Sequence, residues 1–132
     1  FALDKRSLWT AAKAYLQSPV KSIWFTSGDA TLSGLPYAGI SALSRLSMMN
    51  EDERPCYAIS YAAAKPLIEK GILHMQMLEE TDCLIEAWAY DPRALSGQDA
   101  STVDPFSLYL SLAGENDERV RKAAEGLLEG AL

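Results

Sequence analysis

Cys56-Tyr57-Ala58-Ile59-Ser60-Tyr61-Ala62-Ala63-Ala64-Lys65-Pro66-Leu67-Ile68-Glu69-Lys70-Gly71, followed by Ile72-Leu73-His74-Met75-Gln76-Met77-Leu78, decides the fold class of this chain. Cys56 to Ser60 is short and mostly apolar, which suits a strand. Ala62 to Lys70 reads as a helix stopped by Gly71, and Ile72 to Leu78 as a second strand, a β-α-β rhythm. Glu79-Glu80-Thr81-Asp82 is a polar turn of hairpin length, and Cys83 to Tyr90 is a further strand. These last two strands are expected to pair antiparallel.

Working outward, Val20 to Thr26 is a β-rich run. Strict alternation places Val20, Ser22 and Trp24 on one face and Ile23 and Phe25 on the other, with both faces expected to be covered. Before it, Asp4 can cap a helix running to about Leu16, with Leu8, Ala11 or Ala12, Tyr15 and Leu16 on its apolar face, and Pro19 beyond its end. Residues 27 to 37, rich in Gly, Ser and Pro, form a loop, and Ala38 to Met49 a short helix with Ile40, Leu43 and Leu46 on one side. After strand Cys83 to Tyr90 comes a loop to Pro105 with a turn at Pro92 to Leu95, then two closing helices. In the last of these, Asn116 can cap, Asp117 and Glu118 suit the positive end, and Val120, Ala124, Leu127 and Leu128 make the apolar stripe. The expected fold is therefore α/β (α+β): a small mixed sheet of about four strands flanked by about five helices, one domain over residues 1–132.

Composition narrows the function. A chain of 132 residues with 48% hydrophobic and 23% charged residues matches an ordinary globular domain, and no apolar run approaches the roughly 20 residues of a membrane span. The net charge of −6 argues against this piece gripping a phosphate backbone, which favours a concentrated basic surface. The chain opens at Phe1 without a methionine or a secretory pattern, and is expected to be the C-terminal portion of a longer protein.

No motif assembles a catalytic constellation. His74 is the single histidine, and its strand neighbours offer no nucleophile. Cys56 and Cys83 lack zinc or CxxC spacing and read as buried thiols, with a disulfide open to them if their strands are neighbours. Gly28 and Gly34 match no phosphate-binding loop. Leu84, Glu86, Trp88 and Tyr90 share a strand face, which sets a carboxylate among aromatic rings; a partnered structural Glu on a half-exposed face is the plain reading. A metal-dependent nuclease using Glu86 and Asp91 is the enzymatic alternative, although no lysine follows at near spacing. Ala38 to Leu46, with small residues for close packing and Ser and Arg for contact, also resembles a helix-turn-helix recognition helix, but residues 27 to 37 cannot supply the helix before it. Trp24, Trp88, Tyr90 and Tyr109 are the candidate interaction residues, because such rings combine a large apolar area with a polar tip; the competing reading places them in the core.

Lys5-Arg6-Ser7-Leu8-Trp9 with Ser18-Pro19-Val20-Lys21, Gly39-Ile40-Ser41-Ala42-Leu43-Ser44, Tyr57-Ala58-Ile59-Ser60, Trp88-Ala89-Tyr90-Asp91-Pro92, Asp104 to Leu112 and Asp117-Glu118-Arg119-Val120 carry a resemblance over nearly the whole chain. It resembles the C-terminal domain of bacterial winged-helix transcriptional regulators, distantly similar to the antitoxin regulators of abortive-infection systems. The resemblance implies a cytoplasmic bacterial protein that binds DNA through an upstream winged helix, not through these residues. This domain would serve in homodimerisation, effector sensing or partner binding, with no catalytic residue, cofactor or metal and no membrane contact. A protein-protein interaction module built on the aromatic residues is the second alternative.

Overall fold

Five of the six residues of strand β3 (Cys83–Trp88) are apolar, so both of its faces can be covered, and β3 takes the centre of a three-stranded sheet. On one side it pairs antiparallel with β1 (Val20–Thr26), on the other parallel with β2 (Cys56–Ser60), in the order β1-β3-β2. The computed structural model describes residues 18–27, 34–47, 55–79, 82–95, 100–113 and 116–131. The helix expected from Asp4 to Leu16 lies outside them. Among the described residues four helices accompany the sheet of this mixed α+β fold: α1 (Gly39–Ser47), α2 (Tyr61–Glu69), α3 (Pro105–Leu112) and α4 (Glu118–Ala131).

Parallel pairing of β2 and β3 requires a crossover, which α2 begins. Ser60 caps it by accepting the Ala63 N–H at 3.2 Å. Its end is a Schellman motif: Ile72 N–H reaches the Leu67 carbonyl at 2.9 Å and Gly71 N–H the Ile68 carbonyl at 3.1 Å. Gly71 at φ +74° supplies the left-handed conformation that this closure needs.

Alternation along β3 divides the core into two layers. Leu84 and Trp88, with Cys56 and Ala58 of β2, pack beneath α1, α3 and α4 through Ala42, Leu43, Leu108, Leu112, Val120 and Ala124. Ile85 and Ala87, with Ile59, face α2 through Ala64 and Leu67. The outer edge of β2 is closed by Pro36 to Ala38: Ala58 N–H donates to the Pro36 carbonyl at 3.0 Å and Ala38 N–H to the Cys56 carbonyl at 2.9 Å. Tyr37 in turn pairs with Thr102, which blunts an edge that could otherwise template aggregation.

The described sheet has three strands, one fewer than expected. Ile72 to Leu78 is not a strand: only His74 bridges, to Phe25 of β1, while Met75, Met77 and Leu78 lie exposed. The hairpin expected between this segment and β3 does not form, because both edges of β3 are occupied by β1 and β2. Asp82 instead folds the connection back, its Oδ2 accepting the N–H groups of Leu78 at 2.8 Å and Glu79 at 3.1 Å. Strict alternation also fails in β1. A bulge between Val20 and Ser22 turns Val20 to the Trp88 side, where it joins the α1/α3/α4 core rather than the face of Ser22 and Trp24. Coverage of β1 is partial, with Ile23 left exposed.

The closing helices stand as expected, with one shift. Asp117 rather than Asn116 is the residue that caps α4, its Oδ1 accepting Arg119 N–H at 2.9 Å. Of the stripe, Val120, Ala124 and Leu128 are buried and Leu127 packs at the core margin. Cys56 and Cys83 sit on adjacent strands, but Cys56 pairs with Leu84, one position along from Cys83, so the two sulfurs point to opposite faces. Both are thiols.

Candidate functional site

Glu86 lies where α1 crosses the sheet, in a place built from small residues. Ala38, Ser41 and Ala42 are fully buried, which lets α1 approach β2 and β3 closely. Ser41 faces the sheet, its Oγ accepting the Cys56 N–H at 2.9 Å, and Ser44 donates to the Ser41 carbonyl at 3.0 Å. The hydroxyl-bearing face that resembled a recognition helix is therefore spent on packing. Gly39 at φ +55° completes the close approach: a Cβ there would meet Cys56 Sγ at 3.1 Å and Glu86 Oε2 at 3.4 Å.

Glu86 itself is 7% exposed, buried rather than half-exposed. Burial pushes its carboxyl above the ordinary carboxylate range, while hydrogen bonds from the Trp88 indole and the Cys56 thiol act in the opposite sense. The indole N–H donates to Oε1 at 3.0 Å. Asp91 is exposed and holds the following turn, accepting Arg93 N–H at 2.9 Å. Among the described residues no three or more His, Cys, Asp or Glu side chains gather to hold a metal ion.

Polar contacts continue outward from Trp88. Its ring meets Tyr90 edge-on at 5.7 Å, and Tyr90 OH shares a 2.6 Å hydrogen bond with Ser107 Oγ. Ser107 N–H donates to Asp104 Oδ2 at 2.9 Å, the cap of α3, with Pro105 in the first turn, where a missing N–H costs nothing. Burial raises the Tyr90 phenol, with the Asp104 carboxylate adding to the rise and the Ser107 bond opposing it. Asp104 is 4% exposed, and its Oδ1 has no hydrogen-bond partner.

Asp104 also forms part of the wall of a groove of about 390 Å³ between α1, the turn at residues 92–95 and the start of α3. Leu46, Leu95, Val103 and Phe106 give the groove its apolar sides, with Thr102 at its margin. Nearby, Arg93 fixes the loops, its guanidinium donating to the carbonyls of Gly34 and, at 3.3 Å, Ala100.

The four aromatic candidates do not share one surface. Trp88 is fully buried, and Tyr90 beside it is partly exposed. Trp24 lies on the α2 side of the sheet, its indole N–H donating to Ser22 Oγ at 2.7 Å. Tyr109 packs against the core margin and lines a small crevice of about 100 Å³ between α3 and α4. Sequence reading missed a further aromatic group at the β2 edge: Tyr37 and Tyr57 stack at 4.8 Å, with the Arg45 guanidinium 3.7 Å from the Tyr37 ring centre. Burial and the hydrogen bond to Tyr37 push the Tyr57 phenol up to about 12. The groove was also missed, since Leu46, Leu95 and Phe106 belong to three separate elements and no spacing joins them. The chain matches no family model, no curated protein and no solved structure.

Proposed function

We propose that this domain is the non-enzymatic sensing part of a bacterial transcriptional regulator, with DNA contacts made by a winged-helix segment outside these residues. The groove carries the reading: a concave, largely apolar site with a few polar groups, here Asp104 and Thr102, is the common form of a small-molecule site. The buried side chains nearby suit sensing better than catalysis. Glu86 is turned inward onto Trp88 and Cys56, and Asp104, Ser107 and Tyr90 lead from the groove wall to Trp88 at the end of the central strand. A net charge of −6 agrees with DNA binding lying elsewhere.

A second reading, a protein-interaction module, draws on a different observation. Met75 is 77% exposed, and Met77, Leu78 and Ile23 are also exposed, beside or on edge strand β1. Clustered apolar exposure of this kind marks contact surfaces. Sedimentation equilibrium separates the two. The sensing domain is expected to be a homodimer at micromolar concentration; a monomer there would favour the interaction module and count against the dimeric regulator.

A further inference from the structure

The chemistry of the groove points to the class of molecule it holds, an inference that rests on the sensing function proposed above. A carboxylate only accepts hydrogen bonds, and each oxygen left without a donor in a dry site is costly. Asp104 Oδ2 is satisfied by the Ser107 N–H at 2.9 Å; Oδ1 has neither a partner nor contact with solvent. Ser107 Oγ, in the first turn of α3, is already engaged by Tyr90 OH at 2.6 Å. Among the described lining residues Asp104 is the one charged group, with no lysine or arginine to balance it. The remaining wall is apolar apart from Thr102.

Each ligand class fares differently against such a wall. An anion meets the Asp104 charge without compensation. A purely apolar molecule fills the space but leaves Oδ1 unpaired. An ammonium supplies both the missing donor and the opposite charge, and charge-assisted hydrogen bonds are the stronger kind. The volume, about 390 Å³, is at the small end of the range for ligand sites, which limits the body to one ring or a short branched chain.

We propose that this groove binds a small organic amine, its apolar body against Leu46, Leu95, Val103 and Phe106 and its ammonium on the Asp104 carboxylate. Because Oδ1 is closed to solvent, engagement requires the carboxyl group to turn toward the groove. That turn acts on the same residue that caps α3, so binding is felt at Ser107 and, through its hydroxyl, at Tyr90.

The test is a titration of the 132-residue protein with phenethylamine, followed by backbone amide NMR, with phenethyl alcohol and hydrocinnamate as neutral and anionic counterparts. The expected result is saturable shifts centred on residues 102–107 and Leu46, with the amine tighter than the alcohol by about tenfold. Hydrocinnamate should not saturate. Asp104→Asn keeps a capping oxygen and should remove the advantage of the amine, whereas Ala100→Leu should fill the groove and abolish binding of both amine and alcohol without lowering Tm. Failure of phenethylamine to saturate below roughly 10 mM would overturn the proposal, as would equal binding of hydrocinnamate or an amine advantage that survives Asp104→Asn. A negative result here with a dimeric domain and a DNA-binding intact protein would remove the amine and leave the regulator.

Discussion

Gly39 and Glu86 show how much of this fold rests on single positions. Gly39 combines a positive φ with a Cβ position 3.1 Å from Cys56 Sγ, so Gly39→Ala brings backbone strain and a tight contact together. Chemical denaturation should show a loss of about 1–3 kcal/mol, and an unchanged midpoint would mean that α1 does not sit so close to the sheet. Glu86 gives a pH dependence whose sign follows from its raised pKa. Below the ordinary glutamate range the side chain is neutral in both folded and unfolded chains. As pH rises from there, the unfolded chain ionises first, so the contribution of Glu86 to stability is lost on the way up to the folded pKa. Glu86→Gln is permanently neutral and can still accept the Trp88 indole N–H. Its stability relative to the native chain should therefore increase between pH 4.5 and pH 8, read as the difference between two urea midpoints at each pH. A difference that stays flat would show that Glu86 is ionised in the folded protein. The alternation of Leu84, Glu86 and Trp88 was visible in the sequence; the closeness of α1, which turns a half-exposed carboxylate into a buried one, was not.

At the scale of elements, α2 and α4 make opposite predictions. Pro66 lies inside α2 on its exposed side, where it removes an intrahelical hydrogen bond. Pro66→Ala should raise Tm, by an amount corresponding to about 1–3 kcal/mol, because the rest of the helix and its Schellman end are already in place. Leu128 in α4 is buried, one turn on from the core residue Ala124, so Leu128→Ala should cost roughly 2–4 kcal/mol in calorimetry, and a cost under about 1 kcal/mol would mean that the end of α4 is not docked. Both helices were legible because capping residues and apolar spacing are local signals. Segment 72–78 was misread for a reason local signals cannot carry: its alternating side chains suit a strand, but β3 had no free edge to offer. Val20 fails in the same way. Its face depends on a bulge set by pairing with Trp88, and the sequence of β1 contains no Gly to announce it.

For the whole molecule, sheet order is what links the groove to the core. Placing β3 between β1 and β2 centralises Trp88, and the chain from Trp88 through Tyr90 and Ser107 to Asp104 then ends at the groove. Of that path the sequence offered Trp88 and Tyr90 as candidates and Asp104 at the head of a motif, yet it could not show that they meet, since 14 positions separate Tyr90 from Asp104. The function proposed for this arrangement divides labour between an acidic sensing domain and a DNA-binding segment elsewhere. The most direct measurement is a gel-shift titration of the intact protein against its own upstream DNA over a salt series, with the 132-residue domain as control. Binding by the intact protein that weakens steeply with salt, and none by the domain, is the predicted result. Binding by neither would contradict it.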